Sequence, residues 1–154
     1  MKWLASIGLS GTVLALFAAI TSVAIGWTYL GTKAQIDLEV RRAEARQLLE
    51  IFSPDTHDNE IVDDVFEVAA ETALLGIRER RQGYRVRQGS TVIGVILPAT
   101  ARDGYSGDIR ALVGVRRDGS VAGVRVVAHR ETPGLGDKVD LRKSDWVLDF
   151  NERS

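Results

Sequence analysis

Cysteine is absent from the 154 residues. That excludes disulfides, thiolate zinc sites, cysteine-ligated iron–sulfur clusters and a cysteine nucleophile. It fits an oxidising or a reducing compartment equally. Histidine is scarce, with 2 in the chain. His57 and His129 lie far apart, without the i, i+4 spacing that sets two ligands on one helix face, so no metal site is expected. The acids beside them (Asp55, Asp58 and Glu60 around His57, Glu131 near His129) read as solvated turn residues. Net charge is missing too: 20 Lys and Arg against 21 Asp and Glu leave −1. Without a basic excess nothing argues for nucleic acid, whose phosphates call for a positive face. No serine-nucleophile elbow is present. Gly134-Leu135-Gly136 does not continue as a dinucleotide fingerprint, because Val139 stands where the third glycine belongs.

Charge is also absent, locally, from Trp3 to Thr32. A bilayer core about 30 Å thick needs roughly 20 helical residues, so this run is long enough to cross it with some tilt. Trp3 at one end and Trp27 with Tyr29 at the other suit the two headgroup regions. The rival reading is a cleaved secretory signal, with Ser22-Val23-Ala24 as a small-x-small cleavage site. Continuation of the apolar run to Leu30 favours an anchor. Orientation stays open: Lys33, Arg41, Arg42 and Arg46 follow the run closely, and a literal positive-inside count would keep the larger part in the cytoplasm. That rule is weak for long translocated domains.

Lys33 to Phe52 has helical periodicity, with Ala34, Leu38, Ala45, Leu49 and Phe52 on one face and Ile36, Val40 and Ala43 opposite. Ser53-Pro54-Asp55 is the stop. The first stripe packs against the chain's own domain, or both stripes meet neighbouring subunits; periodicity allows either. Beyond the stop, Ile61–Val68 reads as a strand, Ala69–Gly76 as a short helix or turn, and Arg78-Glu79-Arg80-Arg81 as a solvated charged loop. Tyr84–Gln88 and Thr91–Leu97 form a hairpin across Gly89-Ser90. The second of these is apolar on both faces and so is expected to be central. Ile109–Arg116 and Val121–Ala128 flank the stronger hairpin signal Asp118-Gly119. Leu141–Phe150 returns to helix. The expected class is α+β, a single N-terminal transmembrane helix followed by a largely antiparallel sheet. There is no internal repeat.

Two loops remain. Gly104-Tyr105-Ser106-Gly107 precedes one strand of the last hairpin, and His129 to Lys138 follows the other, so an antiparallel hairpin sets both at one end. Pro133-Gly134 suits the central pair of a type II turn, and Gly136 would let backbone approach a ligand. Such length without regular structure points to a binding surface, though plain turns also fit.

His129-Arg130-Glu131-Thr132-Pro133-Gly134-Leu135-Gly136-Asp137-Lys138, followed by Leu141-Arg142-Lys143-Ser144-Asp145-Trp146, resembles the RnfG family of the Rnf electron-transport complex. The Gly104–Gly107 loop and the single amino-terminal anchor match as well, so the resemblance covers nearly the whole chain. The Glu-Thr-Pro-Gly-Leu-Gly core is similar to that of an FMN-binding member of the sodium-pumping NADH:quinone reductase and of other FMN-binding domains. The resemblance implies an anchor over residues 1–32, a juxtamembrane helix over 33–53 and an FMN-binding domain over 54–154. It further implies a bacterial inner-membrane protein with its domain in the periplasm. The partners would be the lipid bilayer and the other membrane and redox subunits of an Rnf-type complex.

The implied cofactor is FMN, held covalently through its phosphate by a threonine in a motif that this sequence lacks. Either the chain is incomplete at its C-terminal end or the protein has lost its covalent flavin; the intact loops favour the first, and residues 1–154 alone are expected to carry no covalent flavin and retain little. The implied cofactor-binding residues are Tyr105, Gly107, Glu131, Thr132, Pro133, Gly134, Leu135, Gly136 and Lys138, with Lys143 and Trp146 in support. No catalytic side chain is expected, since flavin electron transfer needs a held ring and tuning charges rather than a nucleophile or general acid. A negative Glu131 near the ring would lower its potential. Two other functions suit the same residues: a flavin-dependent reductase of a small substrate, and an anchored assembly or binding module without redox chemistry.

Overall fold

The computed structural model describes residues 2–153, with side chains from Gly11 onward. The expectations resting on the side chains of Lys2 and Trp3, and on Ser154, fall outside those residues. One helix, α1, spans Lys2–Leu49. The chain divides into two units at Arg42/Ala43.

In the first unit α1 is long and apolar enough to cross a membrane. Among the described residues its large side chains, such as Phe17, Ile20, Ile25 and Trp27, are exposed, as lipid-facing residues would be. Thr21, Thr28 and Thr32 return their hydroxyls to carbonyls one turn back, so these polar groups need no water. Past this run, Ile36, Leu38 and Val40 remain exposed.

The second unit is a five-stranded sheet of β1 (Val65–Val68), β2 (Arg81–Gln88), β3 (Thr91–Ala101), β4 (Ile109–Arg116) and β5 (Val121–Ala128). The strands lie side by side in chain order, each antiparallel to the next. The apolar β3 is central, and both hairpins turn where Gly89-Ser90 and Asp118-Gly119 place them.

Leu48, Ile51 and Phe52 close over one face of the sheet and join Ile61, Tyr84, Val86, Ile96 and Ala122 in the core. Leu49, expected on the packing stripe, is 37% exposed while Leu48 is fully buried; burial has moved one residue round the helix. Glycines admit the covering side chains. A Cβ on Gly114 would lie 2.3 Å from Ile51 Cγ2 and 2.9 Å from Phe52 Cε2, and one on Gly94 2.6 Å from Phe52 Cζ. Gly114 pairs across the ladder with Gly123. The three glycines thus form a trough in which the chain leaving α1 lies. Tyr84 donates its hydroxyl to Glu44 at the end of α1. Burial and then this carboxylate push the phenol well above its ordinary range.

Three local expectations are corrected. Ile61–Asp63 forms a 3-10 turn, so the first strand starts only at Val65. Asp64 beside it ion-pairs with Arg85 and Arg87. Residues 69–76 are not helical. The Glu71 carboxylate accepts the N–H groups of Ala73, Leu74 and Leu75, and the Glu71 carbonyl takes that of Ile77. The side chain supplies what a helix would have supplied, and the segment closes into a loop. Leu141–Phe150 regains only a 3-10 helix, Asp145–Phe150, with the Ser144 hydroxyl accepting the Trp146 N–H.

Candidate functional site

The antiparallel pairing of β4 and β5, with Arg110 opposite Ala128, sets the loop before β4 and the loop after β5 at one end of the sheet. They are joined by Glu131, the one buried charged side chain among the described residues, 8% exposed. Its Oε1 accepts the Ser106 N–H at 3.0 Å. Glycines on both sides make room for it. A Cβ on Gly104 would come 3.0 Å from Glu131 Oε1 and 2.2 Å from the Gly107 carbonyl, and one on Gly136 2.7 Å from Glu131 Oε2. The close approach expected of Gly136 is thus made by Glu131, from within the chain. The Glu131 N–H in turn meets His129 Nδ1 at 3.2 Å, which assigns the ring proton to Nε2 in the neutral imidazole.

The second loop has the expected turn. The Thr132 carbonyl accepts the N–H groups of Leu135 (3.1 Å) and Gly136 (3.0 Å). Between them Pro133 precedes Gly134 at φ 81°, the left-handed position that a type II turn assigns to glycine. Asp137 Oδ1 accepts the Gly134 N–H at 2.9 Å, a contact the sequence reading missed. It was visible as an acid just past the Pro-Gly pair. Lys138 lies exposed in the following 3-10 turn, Asp137–Val139. Further on, Trp146 meets Phe150 edge to face at 5.2 Å, and Lys143 is exposed.

Both loop tips are bare. Tyr105 is 95% and Leu135 79% exposed, and a Cβ built on Gly107 or Gly134 would meet nothing within 4 Å. An aromatic ring, a branched aliphatic side chain and two stretches of uncovered glycine backbone suit a flat, partly polar ring system such as an isoalloxazine. All nine expected contact residues therefore lie in two loops at one end of the sheet. Lys143 and Trp146 lie further along the chain, beyond the second loop.

Residues 1–51 match the family profile described as the RnfG N-terminal region, and residues 104–153 that of the FMN-binding domain. Three relatives are named as the G component of an ion-translocating oxidoreductase complex. That of Pseudoalteromonas atlantica is 43% identical over 94% of this chain, and one of Pseudomonas aeruginosa 43% over 92%. One of Vibrio cholerae is 36% identical over 96%. The chain spans 66% of the length of the first two and 70% of the third. The matched regions carry the apolar helix at one end and the paired loops at the other. The chain belongs to the RnfG family of ion-translocating oxidoreductase complexes.

Proposed function

We propose that the chain is a membrane-anchored flavoprotein subunit that relays electrons within an Rnf-type ion-translocating complex. It would sit in a bacterial inner membrane with the sheet domain on the periplasmic side. The observation that carries the reading is the Glu131–Ser106 contact, which ties the two bare-tipped loops together at the sheet end where the FMN-binding match begins. FMN, when bound, supplies a group that takes up electrons and passes them on singly. Tyr105 and Leu135 offer apolar cover for its ring, Gly107 and Gly134 uncovered backbone, and Lys138 a positive charge at the rim. Thr132, Pro133 and Gly136 shape the turn, and Glu131 orders both loops. Nothing in a relay asks these residues for a nucleophile or a general acid. Covalent attachment of the flavin phosphate to a threonine, and association with further membrane and redox subunits, belong to the same proposal.

Protein isolated from its native membrane is expected to give a fluorescent flavin band on a denaturing gel. A non-fluorescent band, together with no flavin absorbance in the native sample, would overturn the reading. Placement is tested separately. A reporter active only outside the cytoplasm, fused after Arg153, should be active. A silent reporter on a stably made fusion would put the domain in the cytoplasm.

A further inference from the structure

We propose that the cleft between the starts of β2 and β4 and the end of β5 is an anion site for a phosphate group. Arg81, Arg110 and Arg130 line it together with His129, Gly107 and Asp108. The charged run at 78–81, expected to be a solvated loop, thus ends in a half-buried residue that opens β2.

The three arginines differ from most others in the domain. Arg80, Arg85, Arg87, Arg116, Arg125 and Arg142 each have a carboxylate as partner. Among the described residues, no ion pair includes Arg81, Arg110 or Arg130. Asp108 is the sole acid lining the cleft, so with every carboxylate ionised the lining keeps a positive balance. Three guanidinium groups in one cleft repel one another, and a bound phosphate anion would relieve that repulsion. Guanidinium forks match phosphate oxygens two at a time, which favours phosphate over a spherical anion such as chloride. Two of the three also have a fixed backbone position. Arg81 pairs with Val68 in the ladder and Arg110 with Ala128, so two of the three stand on strands rather than on a loose loop. His129, whose Nδ1 accepts the Glu131 N–H and whose Nε2 therefore carries a proton, also lines the cleft. None of this depends on the flavin reading.

The test is a calorimetric titration of the whole chain, in uncharged detergent at low ionic strength, with inorganic phosphate. Saturable binding is expected, weakened about tenfold by Arg130→Gln and by Arg110→Gln, since each removes a charged hydrogen-bonding partner. Added sodium chloride should weaken it further. Absence of saturable binding would overturn the proposal, as would equal affinity in the triple variant R81Q/R110Q/R130Q. Arg130 is exposed in a loop, so Arg130→Gln keeps the test decisive if the strand variants fail to fold. Displacement of phosphate by FMN but not by riboflavin would support the site and identify its natural occupant as a flavin phosphate. Displacement in nanodiscs of phosphatidylglycerol but not of phosphatidylcholine would support it as a lipid-headgroup site.

Discussion

Gly114→Val is expected to unfold the sheet domain at temperatures where the native protein is stable. The smallest added atom, a Cβ, would lie 2.3 Å from Ile51 Cγ2 and 2.9 Å from Phe52 Cε2. Neither neighbour has room to withdraw, because Ile51 and Phe52 are 6% and 5% exposed within the core. Overpacking a filled core costs about 1–3 kcal/mol, and a valine that also displaces the covering segment belongs at or above the top of that range. A domain's whole stability is about 5–15 kcal/mol. Urea denaturation in detergent, followed by circular dichroism, would measure the loss. Gly114→Ala should lose less, and combining it with Ile51→Ala should cost less than the two single losses summed. Strict additivity would show that the methyl group on Gly114 does not meet Ile51.

Glu131→Ala is expected to part the two loops while leaving the sheet intact. It removes the acceptor of the Ser106 N–H and empties the space between Gly104 and Gly136. Losing a buried charged acceptor costs about 1.5–3 kcal/mol. That loss should appear as faster amide exchange at Ser106 and through residues 132–136, with strand amides unchanged. Glu131→Gln separates this role from electrostatics, because it keeps an acceptor and removes only the charge. In flavin-bearing protein Glu131→Gln should raise the midpoint potential while exchange stays near native. An unchanged potential would leave Glu131 as a purely structural tie.

The parts of the fold legible in the sequence are those set by local chemistry. Asp118-Gly119 and Gly89-Ser90 encode their turns in adjacent residues, and Val92–Leu97 announces a central strand by being apolar on both faces. Less was legible where one side chain overrides a local preference. Glu71 captures three successive N–H groups and converts an expected helix or turn into a closed loop. Contacts across the ladder were not legible at all. Gly94, Gly114 and Gly123 sit in three different strands, and only the register makes them one trough. The candidate site divides in the same way. The Thr132–Leu135 turn follows from Pro133-Gly134, whereas the tie between Glu131 and Ser106 spans 25 residues. The meeting of Arg81 with Arg110 and Arg130 likewise depends on how β2, β3, β4 and β5 align.

The strictly sequential sheet has a consequence for how the domain is made. Each strand pairs with the one synthesised just before it, so the ladder can grow as the chain emerges, without waiting for distant segments. Contacts this local favour rapid assembly. The segment after α1 is the exception. Ile51 and Phe52 are made first, but the glycines that receive them arrive with β3, β4 and β5. Two large apolar side chains therefore stay incompletely covered until the last strand is in place. During that interval the nascent domain carries an uncovered apolar surface, and a chain stalled before Gly123 would keep part of it open.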